Sequence, residues 1–470
     1  MKNQKLLVIF MIVLEIIMIS LISSWMRYTT DLEEDQDSAS DLEKISSFGN
    51  INDLMVVVVL GFGIIMLSYR NYGLSTMGYI LLIVSFCVPF SIILNVFWYQ
   101  VSIRDVRVYR IDLSIFIESM FATLTVMICF RALLGKVTPF LLFLVSIFEI
   151  FFYSLNVYVS SFELEIFDLG KSMNVHLFAG CFSITVSLIY TMSNKAIYTA
   201  YKKQVSDHIS ETITLLGTFL LWIYLPGANG SLAQNTGFYR SIINSVMSLI
   251  SSTVVTFLLS GFFNNGKFTI KDVRNGTIVG GIAIGSVAHL YLTPIVSMGI
   301  GGVASLISFF SMNMFCGWYE KRLNIKDTSE IFSLNIIPGF VSGLSSIIVS
   351  AIASKYDSKY SDQFFKYFPQ GNDQWKFQAG GLFFTIGIAI FGGGFCGLCI
   401  KLFNFPAPKE PFNDEENWNE SNSTLKERDD SDLELKRQNF NISARDNFNF
   451  KLKTPMQSED DDEKISSDSD

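Results

Sequence analysis

Almost all of this sequence between residues 6 and 404 is apolar in stretches long enough to cross a bilayer. The hydrocarbon slab is about 30 Å thick, and a helix rising about 1.5 Å per residue needs roughly 20 apolar residues to span it. Such runs lie at about 6–25, 51–69, 74–99, 111–134, 138–160, 172–193, 209–227, 237–263, 276–294, 295–318, 329–353 and 380–404. They predict an all-α, polytopic membrane protein of about twelve spans. Charge agrees: only 17% of residues are charged, against about 25% in a soluble chain. The formal charge of −8 is a poor guide to partners, because the acidic residues gather at the C-terminus. All six cysteines fall inside apolar runs, so no disulfide framework is indicated. Cys396 and Cys399 form a CxxC beside Gly392–Gly394, but no second pair exists to complete a metal site, and packing is the simpler reading.

The ends of the chain set its organisation. Lys2 and Lys5 precede the first run. A signal peptide is the alternative there, but the run is long enough to span and no clear small-residue cleavage site follows, so a retained span is expected. After Asn404 the composition turns polar and acidic, so residues 1–404 read as the membrane domain and 405–470 as a disordered acidic tail. Lys136, Lys195, Lys202, Lys203, Lys267, Lys271, Arg274, Lys321, Arg322 and Lys326 fall in alternate loops, which favours an inside N-terminus and two cytosolic ends. Asn229-Gly230-Ser231 is a glycosylation sequon on an expected outer loop.

One stretch occurs twice. Asp168 opens one apolar segment and Asp327 another, and each is followed eight residues later by a polar side chain, His176 or Asn335. Eight helical residues reach about 12 Å, close to the bilayer midplane. A polar group at that depth marks a pathway by default. The two segments run in opposite directions, the plan of an inverted repeat. Each Asp also suits a helix cap, and Asp327 with Glu330 three residues on resembles a capping box. His208 reads as structural at a helix start. His289, near the outer end of the ninth run, reads either as packed or as lining a vestibule. The crowded glycines, such as Gly280, Gly281 and Gly285, read as close helix contacts.

These features resemble the Rhesus (Rh) glycoprotein branch of the ammonium transporter family. The resemblance rests on Asn52-Asp53 with Gly61-Phe62-Gly63, Leu134-Gly135-Lys136, Asp168 with Gly170, Ser172-Met173 and His176, Leu216-Gly217-Thr218 with Leu221-Trp222 and Pro226, Arg274-Asn275-Gly276, and Asp327-Thr328 with Pro338-Gly339. The motifs run in order over most of 50–403. The resemblance implies a homotrimer of twelve-span subunits, each with a narrow apolar pore for ammonia or ammonium, gated outside by two aromatics and lined by two histidines. His176 matches the first pore histidine, Asn335 stands where the second should be, Phe121 matches the first gate aromatic and Asp168 the outer carboxylate. The second gate aligns with Leu220, beside Phe219 and close to Trp222. Lys171 replaces a family glycine at that mouth, where a cation repels ammonium unless it pairs with Asp168.

The expected function is facilitative transport of ammonia or ammonium with one pore histidine, because a carboxamide hydrogen-bonds ammonia but cannot relay a proton. The alternative is a non-conducting Rh-like structural or scaffold subunit, whose acidic tail would hold a cytosolic partner. A pore for another small neutral gas such as carbon dioxide is a third reading. No phosphate loop, metal cluster or nucleophile–base set stands out, so neither an enzyme, a cofactor nor a nucleic-acid partner is expected. The resemblance suggests the plasma membrane, with the lipid bilayer as the immediate partner.

Overall fold

The computed structural model describes residues 2–28, 41–69, 71–104, 108–193, 206–234, 236–323, 327, 329–353, 364–403, 405, 408 and 411–418. Lys195, Lys202, Lys203, Lys326 and nearly all of the acidic tail lie outside them. The chain is a helical bundle. In order, its α-helices of six residues or more are α1 (Lys2–Trp25), α2 (Asp41–Met55), α3 (Gly73–Ile103), α4 (Leu113–Leu133), α5 (Pro139–Tyr158), α6 (Phe178–Ser193), α7 (His208–Gly230), α8 (Thr236–Phe263), α9 (Ile270–Gly276), α10 (Val279–Ile284), α11 (Pro294–Phe310), α12 (Cys316–Leu323), α13 (Ile337–Ala353) and α14 (Gln374–Leu402). One short departure from all-α is a parallel pair of three-residue strands, β1 (Met26–Tyr28) and β2 (Tyr109–Ile111).

Helix starts follow local chemistry. Asp112 caps α4 by accepting from Ile115 N at 3.1 Å. Thr138 caps α5 ahead of Pro139, whose missing N–H costs nothing in a first turn. Asp207 and Ser210 form a reciprocal capping box at the start of α7, which places His208 at an exposed helix end.

Among the described residues, eleven helical segments are long and apolar enough to cross a membrane. The ninth expected span, 276–294, is not one of them. It is broken into α9, α10 and a run of turns. Broken backbone survives at membrane depth only where neighbours satisfy its polar groups. Here they do. Ser248 Oγ donates to Gly280 O (2.7 Å), Ser252 Oγ to Thr277 O (3.0 Å), Asn229 Nδ2 to Gly281 O (2.8 Å), Ser172 Oγ to Ile282 O (2.6 Å) and Asn244 Nδ2 to Ala288 O (2.8 Å). Glycine is required for this approach, since a Cβ at Gly280 would collide with Ser248 O.

The tail does not begin cleanly at 405. Phe412 covers Gly135 and packs its ring on Tyr69 (4.8 Å) and Tyr72 (5.9 Å). Asp414 accepts from Leu74 N (3.0 Å) and Ser75 N (2.7 Å), capping α3 from more than three hundred residues away. An acidic side chain on orphan N–H groups explains why this polar segment stays on the bundle.

Candidate functional site

The two repeated stretches form matching devices. In each, an Asp caps a π-helical turn, and the turn carries the polar residue. Asp168 Oδ2 accepts from Met173 N (3.1 Å) and Asn174 N (2.8 Å), at the head of the turn Ser172–Leu177. Asp327 accepts from Ile331 N and Phe332 N, both at 2.9 Å, at the head of Phe332–Ile336. The third donor differs: Ser286 Oγ for Asp168 (2.6 Å) and Tyr319 OH for Asp327 (2.8 Å). Burial pushes the Asp168 carboxyl above its ordinary range, while these donors and Lys171 pull it down. The capping box expected at Asp327 and Glu330 does not form. Glu330 instead faces Arg274 (3.3 Å), Lys271 (3.4 Å) and Asn275 Nδ2 (3.0 Å), because three donors from α9 outweigh one backbone N–H.

Both π turns present their polar residue to the other. His176 Nδ1 lies 3.0 Å from Asn335 Oδ1, with both side chains buried. With a carboxamide oxygen facing it, Nδ1 carries the proton and donates, which leaves the lone pair on Nε2. Asn335 Nδ2 has no partner among the described residues, although it is fully buried. The Phe62 ring stands 6.2 Å from the imidazole. A π turn widens the helix by one residue and is a frequent mark of functional positions.

The packing around the pair is reciprocal. Gly180, four residues after His176, sits against Ile336, the residue after Asn335. Gly339, four residues after Asn335, sits against Leu177, the residue after His176. One rotation relating the segments gives both contacts, as an inverted repeat requires. Gly170 meets Gly285 backbone to backbone, with Gly170 N donating to Gly285 O at 3.2 Å. This joins the first π turn to the broken span.

The model of the Ammonium Transporter Family matches residues 8–410. The chain belongs to the ammonium transporter family. Within it, the ammonium transporter Rh type C of Bos taurus is 29% identical over 447 residues, covering 90% of this chain and 96% of that protein. Rhesus-like glycoprotein B of Dictyostelium discoideum is 28% identical over 429 residues, covering 85% of this chain and 70% of that one. Among solved structures, Rh50 of Nitrosomonas europaea superposes with a TM-score of 0.70 at 23% identity, covering 85% of this chain and 98% of that chain. Mep2 of Candida albicans gives 0.57 at 17%, covering 77% and 85%. These structures share the fold.

Against the family's plan the other expected residues divide. Phe121 is buried on α4, one turn beyond Glu118, so both occupy the same face. Phe219 is 59% exposed and turned to the outside of the bundle, so it does not stand in for a gate in this structure. Leu220 is half-buried and lies ten residues before the end of α7 at Gly230, or about 15 Å along the axis. Its neighbour Leu221 packs on Gly61, beside the Phe62 that faces His176. Trp222 is half-buried and donates from Nε1 to Thr253 Oγ1 on α8 (3.1 Å), a helix-packing bond. Helix rotation, which residue order does not reveal, decides all three.

Lys171 does not pair with Asp168. Its Nζ lies 3.0 Å from Glu118 Oε1, because the Asp168 carboxylate is already taken up by its three donors. Glu118 was legible only as an ionisable residue within an apolar run. The Asn229 sequon is closed: the side chain is buried, and Nδ2 donates to Ser245 Oγ (2.9 Å) and Gly281 O (2.8 Å). His289 is buried, with Phe167 edge-on (5.8 Å) and Tyr367 stacked (6.1 Å). It lines a cavity of about 370 Å³, consistent with the vestibule reading.

Proposed function

We propose that ammonia or ammonium, the substrate that names this family, passes each subunit as the neutral molecule at the His176–Asn335 pair. The supporting observation is the 3.0 Å contact between those side chains across two opposed π turns. An unpaired cation in an apolar interior costs on the order of tens of kcal/mol, whereas a neutral amine loses only its hydrogen bonds. The pair replaces those bonds. Asn335 Nδ2 donates to the ammonia lone pair, and His176 Nε2 accepts from an ammonia N–H. Asn335 exchanges no proton at any physiological pH, and its oxygen holds the His176 proton at Nδ1. The site therefore passes ammonia without relaying a proton along the pair, and flux follows the concentration gradient of the neutral species.

The proposal extends to the assembly and its setting. The protein is a homotrimer in the plasma membrane with both termini cytosolic, and its acidic tail engages a cytosolic partner. Support for the orientation comes from Lys136, Lys271 and Arg274 in the loops expected inside, and from the docking of Phe412 and Asp414 beside Gly135 and Tyr72.

Uptake of labelled methylammonium by cells lacking their own ammonium transporters tests the reading. His176→Ala is expected to abolish uptake at normal surface expression. Asn335→His is expected to add a current and a steeper dependence on pH. A wild-type protein that reaches the surface and transports nothing would favour the scaffold role. An Asn335→His variant with unchanged rate, pH profile and current would refute the single-histidine mechanism.

A further inference from the structure

We infer that Lys171 is a tethered ammonium surrogate, which occupies Glu118 at the mouth of the pore segment and competes with substrate cations for that carboxylate. The inference rests on the reading that substrate passes the His176–Asn335 pair. Lys171 immediately precedes the π turn that carries His176. Its head group is a primary ammonium with three N–H donors and no acceptor, the same chemical class as methylammonium and ammonium. It sits 3.0 Å from Glu118 Oε1, and the exposures of the two side chains are unequal: 6% for Lys171 and 29% for Glu118. The Glu118 side chain is partly open while its resident cation is sequestered.

The backbone shows that this placement is imposed. Lys171 has φ +55°, in the left-handed region that a long side chain rarely adopts and that glycine or asparagine takes readily. The residue carries its cation there in spite of that preference. The two carboxylates nearest Lys171 are both engaged. Asp168, three residues away, is held by two backbone N–H groups and Ser286, and Glu118 is neutralised by Lys171. Phe121 follows one turn beyond Glu118 on the same face. A carboxylate neutralised in this way does not draw a cation to itself, whereas the neutral amine is indifferent to it. Removing the surrogate should leave Glu118 as an unmet negative charge open to an exogenous ammonium.

The test is calorimetric titration of methylammonium chloride into the purified full-length protein in nanodiscs, with sodium chloride as the reference titrant. Lys171→Gly keeps the backbone conformation and removes the cation. It is expected to bind methylammonium about 2–5-fold more tightly than wild type at low salt, the upper range of one partly exposed ion pair, with the gain shrinking as salt rises. Lys171→Asn, which also tolerates the left-handed region, should behave alike. Glu118→Gln added to Lys171→Gly should remove the gain. Equal or weaker binding by both Lys171 variants, or a gain that survives Glu118→Gln, would overturn the proposal and reduce the pair to a structural bridge. Binding at the mouth needs no conducting lumen. A Glu118-dependent gain in a protein whose uptake ignores His176→Ala would sink the lumen reading alone; no gain with intact His176-dependent uptake would sink this one alone.

Discussion

Gly339→Ala probes the contact that holds the two polar residues together. A Cβ at Gly339 would lie 2.8 Å from Leu177 N, 2.9 Å from Leu177 Cβ and 2.9 Å from Ser172 O. Ordinary contacts of that kind begin at 3.4 Å, so the helix carrying Gly339 must move by about 0.5 Å or push the first π turn away. Two of the three obstructing atoms are backbone and cannot rotate aside. Overpacking of this sort costs about 1–3 kcal/mol. Displacing the turn also strains the His176–Asn335 hydrogen bond, worth a further 0.5–1.5 kcal/mol or so. The sum, about 1.5–4.5 kcal/mol, should lower the melting temperature in detergent and reduce methylammonium uptake together. Gly180→Ala is the internal comparison. Its added Cβ meets chiefly Ile336 Cγ1 at 2.5 Å, with the nearest backbone atom at 3.4 Å. A side chain can change rotamer, so the cost falls to about 1 kcal/mol. Gly387→Ala, with nothing within 4 Å, should be neutral or slightly stabilising. From least to most stable, the expected order is Gly339→Ala, then Gly180→Ala, then wild type level with or just below Gly387→Ala. A Gly339→Ala protein that melts and transports like wild type, or one milder than Gly180→Ala, would refute the reciprocal packing.

Two further expectations follow from the same contacts. Asn229 should carry no glycan when the protein is expressed in a glycosylating cell, and Asn229→Ala should cost about 1–3 kcal/mol by stranding Gly281 O in the broken span; an endoglycosidase-sensitive mass at Asn229 contradicts this. Asp414→Ala should lower stability by about 1 kcal/mol through loss of the α3 cap, read as a lower melting temperature with unchanged methylammonium affinity; no shift would mean that the segment does not hold its place in solution.

Residue order alone determined a good deal here. Run length and sparse charge specified a helical bundle in a bilayer, since continuous apolar runs of about 20 residues suit spanning helices, whereas barrel strands need only about 9–11. The spacing of Asp168 to His176 and of Asp327 to Asn335 specified two opposed entries meeting at one depth. A polar stripe was passed over: Ser241, Ser245, Ser248, Ser252, Thr256 and Ser260 recur every three or four residues along α8 and mark one face. What that face was for could not be read, because Ser248 and Ser252 donate to carbonyls of a span that had to break to expose them. Only the tertiary structure decided that break, the pairing of Lys171 with Glu118 rather than Asp168, the outward turn of Phe219 and the closure of the Asn229 sequon. The physical reason is common to all four. Hydrophobicity sets how deep a residue lies, but the rotation of its helix sets what it faces. In this bundle close backbone contacts at Gly170, Gly217, Gly280 and Gly339, with elements more than thirty residues away in the chain, constrain that rotation.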